Sequence, residues 1–572
     1  MILFLLVCLT GADALETEDS ARVDIILHEL DDLRRHPINI NEADAEELCR
    51  LPFLDQGLAE AIVRYRRRAG GLRDPDDLRR VPGITLALME QVRPYIRTSV
   101  RAVSPRPVTQ RIRLRADPAR SGTNELYTAT KVNNGDLRAA LITEKDPRES
   151  SYLDYWAAGL VTQYGERLFA LGRYDLDLGA GTMLSSMGSF FSTLDFRMIS
   201  RERGIKPYTS TLENGGFFGA AFSDSIPLRY TFFYSNLDRD GRIDDDGNAR
   251  SFDDSGDHAD SAGLARQDRI NEDLAGYHIR HRIGGLKIGH SAYTGAYRPA
   301  FACDDSAYDF YGHRFWMAGV DMRYGVPGFL VFSELARSHR DRIGGIFGFS
   351  AARPPLFFQV AGKYFPRGFF SPKGGEALDG HSITTITARY RSRIVLLGSE
   401  TIVRHDLRDD STRYDVTIWG EKEAGMVDGK ILLRWRWNDS RSALTGSRAT
   451  IRITPWRLLY AEARLEDKAD PLPDPVGRGF FGGLEIGVVG QWFGFKTRLG
   501  WFDVDDYACR IIAYEPDLPG VVNNRVLYNQ GRYGFILGTI KPVAWGELSV
   551  KYAVMDRDSL TGQIGGQVDV KW

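Results

Sequence analysis

The feature that most constrains this fold is a strict alternation of apolar and polar residues in the part of the chain that follows residue 108. In the segment KILLRWRWN, Leu433, Trp435 and Trp437 face one way, and Arg434 and Arg436 face the other. A period of two is typical of β-strands whose two faces meet different environments. Arginines opposite tryptophans suit a membrane barrel, in which apolar residues meet lipid and charged residues line a wet lumen.

The C-terminal segment continues this alternation and ends on an aromatic residue. In IGGQVDVKW, Val568, Val570 and Trp572 lie on one face, opposite Gln567. This ending resembles the C-terminal signal by which the outer-membrane assembly machinery recognises barrels. Counting about 10 residues per strand, we predict a mainly β fold, a transmembrane antiparallel β-barrel of roughly 22–28 strands over residues 108–572. A soluble β-sandwich or propeller is the alternative.

The N-terminus predicts export. Residues 1–10 form a short apolar core, and the following ADA supplies a small-x-small cleavage pattern, so we expect a signal peptide over residues 1–14. Lipid attachment at Cys8 is an alternative that the preceding valine fits poorly. The remaining three cysteines show no CxxC spacing, which argues against a disulfide framework or a zinc site.

Residues 15–100 have helical character. Apolar residues recur at helical spacing from Asp19 to Arg35, and short helices are predicted after that. The segment PRPVTQ reads as a linker, so we place the helical domain at residues 15–100, the linker at 101–107 and the barrel after it. We expect the helical domain to lie in the periplasm, beside an outer-membrane barrel.

The segment from Ile38 to Ile96, about a tenth of the chain, resembles the helix-hairpin-helix domain of the competence protein ComEA. ININEADAEELCRLP is similar to the opening of that family, AIVRYRRRAGGLRDPDDLRRVPGI to its centre and MEQVRPYI to its end. The resemblance implies a tandem helix-hairpin-helix fold and sequence-independent binding of duplex DNA, since such contacts read no base edges. The whole layout also resembles uncharacterised helix-hairpin-helix outer-membrane proteins.

In this chain the second hairpin is the expected phosphate contact. A Gly-hydrophobic-Gly turn bends sharply, and its amides and the next helix N-terminus point at a phosphate. Here Gly83, Ile84 and Thr85 keep the first glycine. Basic side chains expected to assist are Arg64, Arg67, Arg68 and Arg93. The alternative for these arginines is a solvated helix face.

The first hairpin is degenerate, because both of its glycines are absent. The turn reads Phe53, Leu54 and Asp55. Asp55 is placed to cap the next helix, where its carboxylate would compete for the amides and repel phosphate. Residues 39–100 also contain ten arginines and ten acidic residues, so the domain is not basic overall. We expect no DNA contact at this hairpin.

Other candidate sites are weaker. An Asp-rich stretch offers oxygen ligands for calcium but lacks the twelve-residue register of a calcium loop, so a solvated loop is the alternative. The four residues of this calcium candidate are Asp238, Asp240, Asp244 and Asp246. The sequence contains no HExxH or GxSxG motif and no glycine-rich phosphate loop, and we expect neither an enzyme nor a cofactor.

Two functions follow as expectations. The first is an outer-membrane barrel whose periplasmic helix-hairpin-helix module binds duplex DNA in competence-like uptake. The second is a transport or assembly barrel whose module binds a periplasmic or outer-membrane protein partner and not DNA. The degenerate first hairpin and the balanced charge favour the second function; the second hairpin and the arginine face favour the first. Both imply contact with membrane lipid and with the barrel assembly machinery.

Overall fold

The computed structural model describes the chain with the exception of a set of segments. These are residues 1–32, 34–36, 44, 49–50, 52–53, 55, 82–83, 85–88, 90–91, 99–107, 119–121, 123, 150, 152, 186–202, 227, 255, 257, 303–309, 327, 354, 375–379, 393–394, 440–442, 457, 472–475, 491 and 522. The expected signal peptide, the leading helix and the linker therefore lie outside the described residues. No helix in the described part is long and apolar enough to cross a membrane.

The helical domain is closed by a short parallel strand pair that joins its two ends. The pair consists of β1 (Ile38–Asn39) and β2 (Ile96–Arg97). Between them lie α1 (Ala45–Leu48), α2 (Gln56–Ala69) and two 3₁₀ helices, Pro75–Arg80 and Arg93–Tyr95. Their apolar sides meet in one core, whose fully buried members include Leu48, Leu51, Leu54, Ile62, Leu78 and Val92. The predicted small all-α domain is thus present, with few helices among its described residues.

The first 3₁₀ helix begins at a reciprocal side-chain cap. The Asp74 carboxylate accepts the backbone N–H of Asp76 at 2.8 Å. The Asp77 carboxylate accepts the backbone N–H groups of Arg73 and Asp74 at 2.9 and 3.2 Å. This capping box satisfies amides that the helix itself leaves unpaired and holds Leu78 in the core.

The remainder of the chain forms a closed antiparallel barrel of 24 strands. The wall strands are β3 (Val108–Ala116), β4 (Glu125–Asn133), β5 (Leu137–Lys145), β6 (Tyr155–Tyr164), β7 (Arg167–Asp177), β9 (Phe217–Asp224), β10 (Arg229–Arg239), β13 (Ile270–Ile283), β14 (Leu286–Phe301), β15 (Gly312–Val326), β16 (Phe329–Ser338), β17 (Ile343–Arg353), β18 (Leu356–Phe365), β19 (His381–Arg391), β20 (Val395–Asp406), β21 (Ser411–Ala424), β22 (Val427–Asn438), β23 (Ala443–Trp456), β24 (Leu459–Asp470), β25 (Gly477–Val489), β26 (Phe493–Val504), β29 (Asn529–Val543), β30 (Gly546–Asp556) and β31 (Leu560–Lys571). The predicted range of roughly 22–28 strands is confirmed.

The barrel closes where its first and last strands meet. β3 pairs antiparallel with β31, and Val108 and Trp572 exchange two backbone hydrogen bonds of 3.0 Å. The turns at this end are short, whereas the opposite end carries longer segments. Barrels of this kind place short turns in the periplasm and long loops outside, so we call the two ends periplasmic and extracellular.

Several short elements belong to the long segments of the extracellular end. They are β8 (Gly204–Pro207), β11 (Gly241–Ile243), β12 (Ala249–Phe252), α3 (Ser261–Leu264), a 3₁₀ helix (Tyr507–Cys509), β27 (Ile511–Glu515) and β28 (Asn523–Leu527).

The predicted alternation is confirmed in the wall. Leu433, Trp435 and Trp437 are exposed on the outer face, while Arg434 and Arg436 both turn inward. The two inward guanidiniums lie 3.3 and 2.9 Å from carboxylate oxygens of the Asp415 side chain on the neighbouring strand. On the last strand Val568 and Trp572 are exposed, Val570 is partly exposed, and Gln567 is buried. The apolar band therefore faces lipid and the charged residues face the lumen.

The small-residue segment after β7 folds inward where it is described. Leu178 and Met183 are buried. The Glu334 carboxylate on β16 accepts the backbone N–H groups of Ala180, Thr182 and Met183 at 2.6, 3.0 and 3.2 Å. Residues 178–185 therefore lie against the inner wall, and residues 186–202 lie outside the described part.

Candidate functional site

The helical domain is held together by one arginine of the run RYRRR. The Arg66 guanidinium donates from Nη1 to the backbone carbonyls of Ile40 and Ala43, at 2.6 and 2.5 Å. These carbonyls lie in the turn between β1 and α1, so Arg66 fixes α2 against the start of the domain. Its charge-assisted hydrogen bonds serve the fold.

The other arginines of α2 are directed outward. Arg64, Arg67 and Arg68 are exposed. Arg93 is also exposed, but its guanidinium lies 3.6 Å from the carboxylate of Asp76, which offsets part of its charge. The structure therefore presents three of the four expected basic residues on one helix, and it pairs the fourth with an acid.

The two hairpin turns are only partly described. Leu54, in the degenerate first turn, is fully buried in the domain core. Ile84, in the second turn, is partly buried and packs against the same core. The other residues of the two turns lie outside the described part of the chain; they are Phe53, Asp55, Gly83 and Thr85. Phosphate binding by the second turn therefore stays a prediction.

One extracellular segment folds back into the lumen as a β-hairpin, here called the lumenal hairpin (β27 and β28). Inward-facing side chains of the wall hold it. Arg498 on β26 donates to the backbone carbonyl of Tyr514 at 2.5 Å. Lys551 on β30 lies 2.5 Å from the carboxylate of Glu515 and 2.8 Å from that of Asp517. The lumenal hairpin is therefore fixed to the inner wall by buried ion pairs.

The helical domain packs against this lumenal hairpin. Tyr514 is fully buried, and it belongs to the same apolar cluster as Leu58, Ile62 and Val92 of the helical domain. Because Tyr514 lies on a segment attached to the inner wall, the core of the helical domain is completed by a residue of the lumen.

A second contact lies on another part of the wall. α2 approaches β17, the twelfth of the 24 wall strands, whereas the lumenal hairpin follows β26, the twenty-first. The two contacts lie nine strands apart around the barrel. A domain in contact with both sits inside the lumen and reaches across it. This differs from our expectation of a domain in the periplasm, because the sequence of an inward loop carries no sign of what it packs against.

The four aspartates of the calcium candidate do not converge on one point. Asp238 accepts a hydrogen bond from the Asn271 amide at 2.8 Å, and Asp244 pairs with Arg250 at 2.8 Å. Asp246 is exposed. Asp240 is buried and turns toward His258, a residue that no sequence motif singles out.

A histidine, a serine and an aspartate meet on the inner wall without forming a catalytic relay. The Ser291 hydroxyl lies 2.8 Å from Nδ1 of His278, and an Asp321 oxygen lies 3.9 Å from the same nitrogen. A relay needs the nucleophile and the acid on opposite ring nitrogens. Asp321 is also engaged by Arg280 at 3.3 Å. This trio is a buried polar contact between three neighbouring strands.

Comparisons with known proteins find similarities to each of the two parts of this chain. Residues 34–97 match the family model of the helix-hairpin-helix motif. Endonuclease/exonuclease/phosphatase family domain-containing protein 1 is 43% identical in Xenopus laevis and 41% in Homo sapiens, over 56 residues. These matches cover 10% of this chain and 10% of each relative. The chain thus spans about a tenth of the curated relatives it matches.

Solved barrels resemble the remainder at the level of the fold. The P pilus usher (PapC) translocation pore has a TM-score of 0.40 at 8% identity, covering 81% of this chain and 99% of the usher pore. A ferric enterobactin receptor variant from Pseudomonas aeruginosa has a TM-score of 0.41 at 7% identity, covering 81% and 80%. At these scores the likeness carries no functional conclusion. The topology and the matched family model together define a closed antiparallel barrel of 24 strands with an N-terminal helix-hairpin-helix motif.

Proposed function

We propose that this protein is a transport barrel of the outer membrane whose helical domain closes the lumen. The observation that carries the proposal is Tyr514, a residue of the inward-folded loop that is fully buried in the core of the helical domain. A domain that folded separately in the periplasm would have a hydrophobic core made only of its own residues. In this proposal the protein partner of the helix-hairpin-helix domain is its own barrel, and the chain has no catalytic role.

Size supports the same proposal. A barrel of this strand number encloses a lumen too wide to be filled by wall side chains alone. A compact domain of about 65 residues has a radius of gyration of about 11 Å, a body large enough to obstruct such a lumen. The helical domain, the lumenal hairpin and the inward segment after β7 together obstruct the lumen. A solute can then pass only when the helical domain moves.

Solute flux from proteoliposomes tests this function. Tyr514→Ala removes the shared aromatic side chain and should loosen the helical domain, so a trapped dye should escape several-fold faster than through the wild-type protein. Tyr507→Ala is the matched control, because Tyr507 belongs to the same loop but is exposed. Equal leakage through both variants and the wild type would count against closure by this contact.

Duplex DNA binding is the second candidate, favoured by the arginine face of α2. Arg64, Arg67 and Arg68 are exposed on one helix, and a matched helix-hairpin-helix motif covers them. Three guanidiniums can neutralise phosphates without reading base edges. In this candidate the barrel passes duplex DNA, as in competence-like uptake, and the helical domain holds the duplex backbone.

Fluorescence anisotropy with the full-length protein and a labelled random duplex tests this candidate. Three phosphate contacts predict a log–log salt slope of about −2.7, and each arginine removed should reduce its magnitude by about 0.9. Changing Arg64, Arg67 and Arg68 together to Ala should abolish binding. For the single-arginine variants the control is Arg337→Ala, which removes one positive charge from an exposed extracellular position. Absence of binding at low salt would eliminate DNA and leave the transport proposal standing.

A further inference from the structure

Three extracellular loops bring four carboxylates around one buried imidazole. Glu149 and Asp154 come from the loop between β5 and β6, and Glu213 comes from the segment between β7 and β9. Asp240 and His258 come from the segment between β10 and β13. Asp240, His258 and Glu149 are only 4%, 5% and 7% exposed. We call these five residues the histidine cluster.

The imidazole of this cluster is oriented from one side. The Glu149 carboxylate accepts the backbone N–H of His258 at 3.2 Å, and the Asp154 carboxylate lies 2.7 Å from Nδ1. An imidazole that donates its Nδ1 proton to Asp154 binds a metal through Nε2, once any proton on that nitrogen is displaced. A histidine that binds a metal through one nitrogen is held in the same way, since its other N–H is donated to a carboxylate.

The opposite nitrogen points at two more carboxylates. Nε2 of His258 lies 3.0 Å from an Asp240 oxygen and 3.7 Å from a Glu213 oxygen. The other Asp240 oxygen accepts the backbone N–H of Asp268 at 2.8 Å, which fixes the carboxylate in place. The three ligand atoms lie within 4.8 Å of one another, a spacing from which small side-chain rotations can close them around one ion.

The Asp240 and Glu213 carboxylates both face Nε2 of His258, so a cation beside that nitrogen would have two anionic neighbours. Arg173 reaches the same loop, where its guanidinium donates to the backbone carbonyls of Glu213 and Gly215.

We propose that Nε2 of His258, Asp240 and Glu213 bind a divalent transition-metal ion of the zinc type, with Asp154 and Glu149 orienting the imidazole. An imidazole ligand favours such ions over calcium or magnesium. One nitrogen and two oxygens leave a fourth position for water, as in three-ligand zinc sites. The ion joins the β7–β9 and β10–β13 segments at the outer end of the barrel, and Glu149 and Asp154 connect the β5–β6 loop to them through His258.

Metal titration of the full-length protein in detergent tests the proposal. After removal of metal with a chelator, Zn²⁺ binding is followed by calorimetry and Co²⁺ binding by its visible absorption. We expect one saturable site in the wild type, its loss in Asp240→Asn and His258→Ala, and an affinity lowered about 10–100-fold in Asp154→Asn. Asp246→Asn is the matched control and should bind as the wild type does. Heat-modifiable mobility verifies the folded barrel of each variant.

Two results would overturn the assignment. One is no saturable binding of either ion by the wild type. The other is binding that is equal in Asp240→Asn and Asp246→Asn, because an aspartate that ligates cannot be replaced without cost. Loss of binding in Asp154→Asn together with full binding in Asp240→Asn would also reject the ligand set, since it would place the ion on Nδ1.

Discussion

Arg66 and Arg67 are neighbours in one basic run, yet they lie in different surroundings. Arg67 is exposed, whereas Arg66 turns toward the start of the domain and donates to the carbonyls of Ile40 and Ala43. Helical spacing separates Arg66 from the face of Arg64, Arg67 and Arg68, so this split was predictable from the sequence. The carbonyl acceptors were not, because they belong to a turn whose position depends on the whole domain.

Arg66→Ala should destabilise the helical domain by about 2–3 kcal/mol, because two carbonyls lose hydrogen bonds to a charged donor. Arg67→Ala should change the stability by no more than about 0.5 kcal/mol. Hydrogen exchange of the α2 amides in the full-length protein measures both effects. Equal exchange in the two variants would show that Arg66 does not hold the domain.

At the scale of elements, the capping box makes the helical domain sensitive to acid. The backbone N–H groups of Asp74 and Arg73 lower the pKa of Asp77 below its ordinary value of 3.8. A carboxylate with a depressed pKa contributes stability above its unfolded pKa and loses it as the pH falls through the folded one. This contribution should be constant at neutral pH, begin to fall near pH 4 and disappear once the pH is below the depressed pKa of the folded state.

Asp77→Asn should remove that acid-dependent contribution. The variant should show faster exchange in the Pro75–Arg80 helix at neutral pH, and less additional loss on acidification than the wild type. Hydrogen exchange at two pH values, corrected for the intrinsic rate, provides the measurement. An unchanged response to acid in the variant would exclude Asp77 as the titrating group.

The lumenal hairpin depends on Lys551, which lies within 2.8 Å of carboxylate oxygens on both Glu515 and Asp517. Lys551→Ala removes this partner, while Arg525 and Arg115 still pair with Glu515 and Asp517, so we expect a cost of about 1–3 kcal/mol. The lumenal hairpin should then exchange and be cleaved by protease far faster. Lys541→Ala, which breaks a more exposed pair with Glu547, should leave it protected. A protected hairpin in both variants would contradict this anchoring role.

The elements differ in how far they could be predicted. Alternation predicted the wall and its strand number, because each strand meets lipid on one face and water on the other. It did not predict the lumenal hairpin, whose residues alternate as a wall strand would. The histidine cluster could not be predicted from the sequence either. Asp154 and His258 are 104 residues apart, and only Asp240 stood out, as part of an Asp-rich stretch read as a solvated loop.

At the scale of the whole molecule, the helical domain and the barrel form one packed unit. Tyr514 completes the core of the domain, and α2 approaches β17 on another part of the wall. Resemblance to a helix-hairpin-helix family predicted the domain but gave no information on its place, since a motif describes local structure. The central claim is that this placement closes the lumen.

Single-channel conductance in planar bilayers tests that claim most directly. The full-length protein should remain closed or conduct weakly, and a chain lacking residues 33–97 should open a large and stable channel, since the body that fills the lumen is gone. Heat-modifiable mobility confirms that the shortened barrel is folded. The same large conductance in both proteins would contradict the account, because the helical domain would then leave the lumen open.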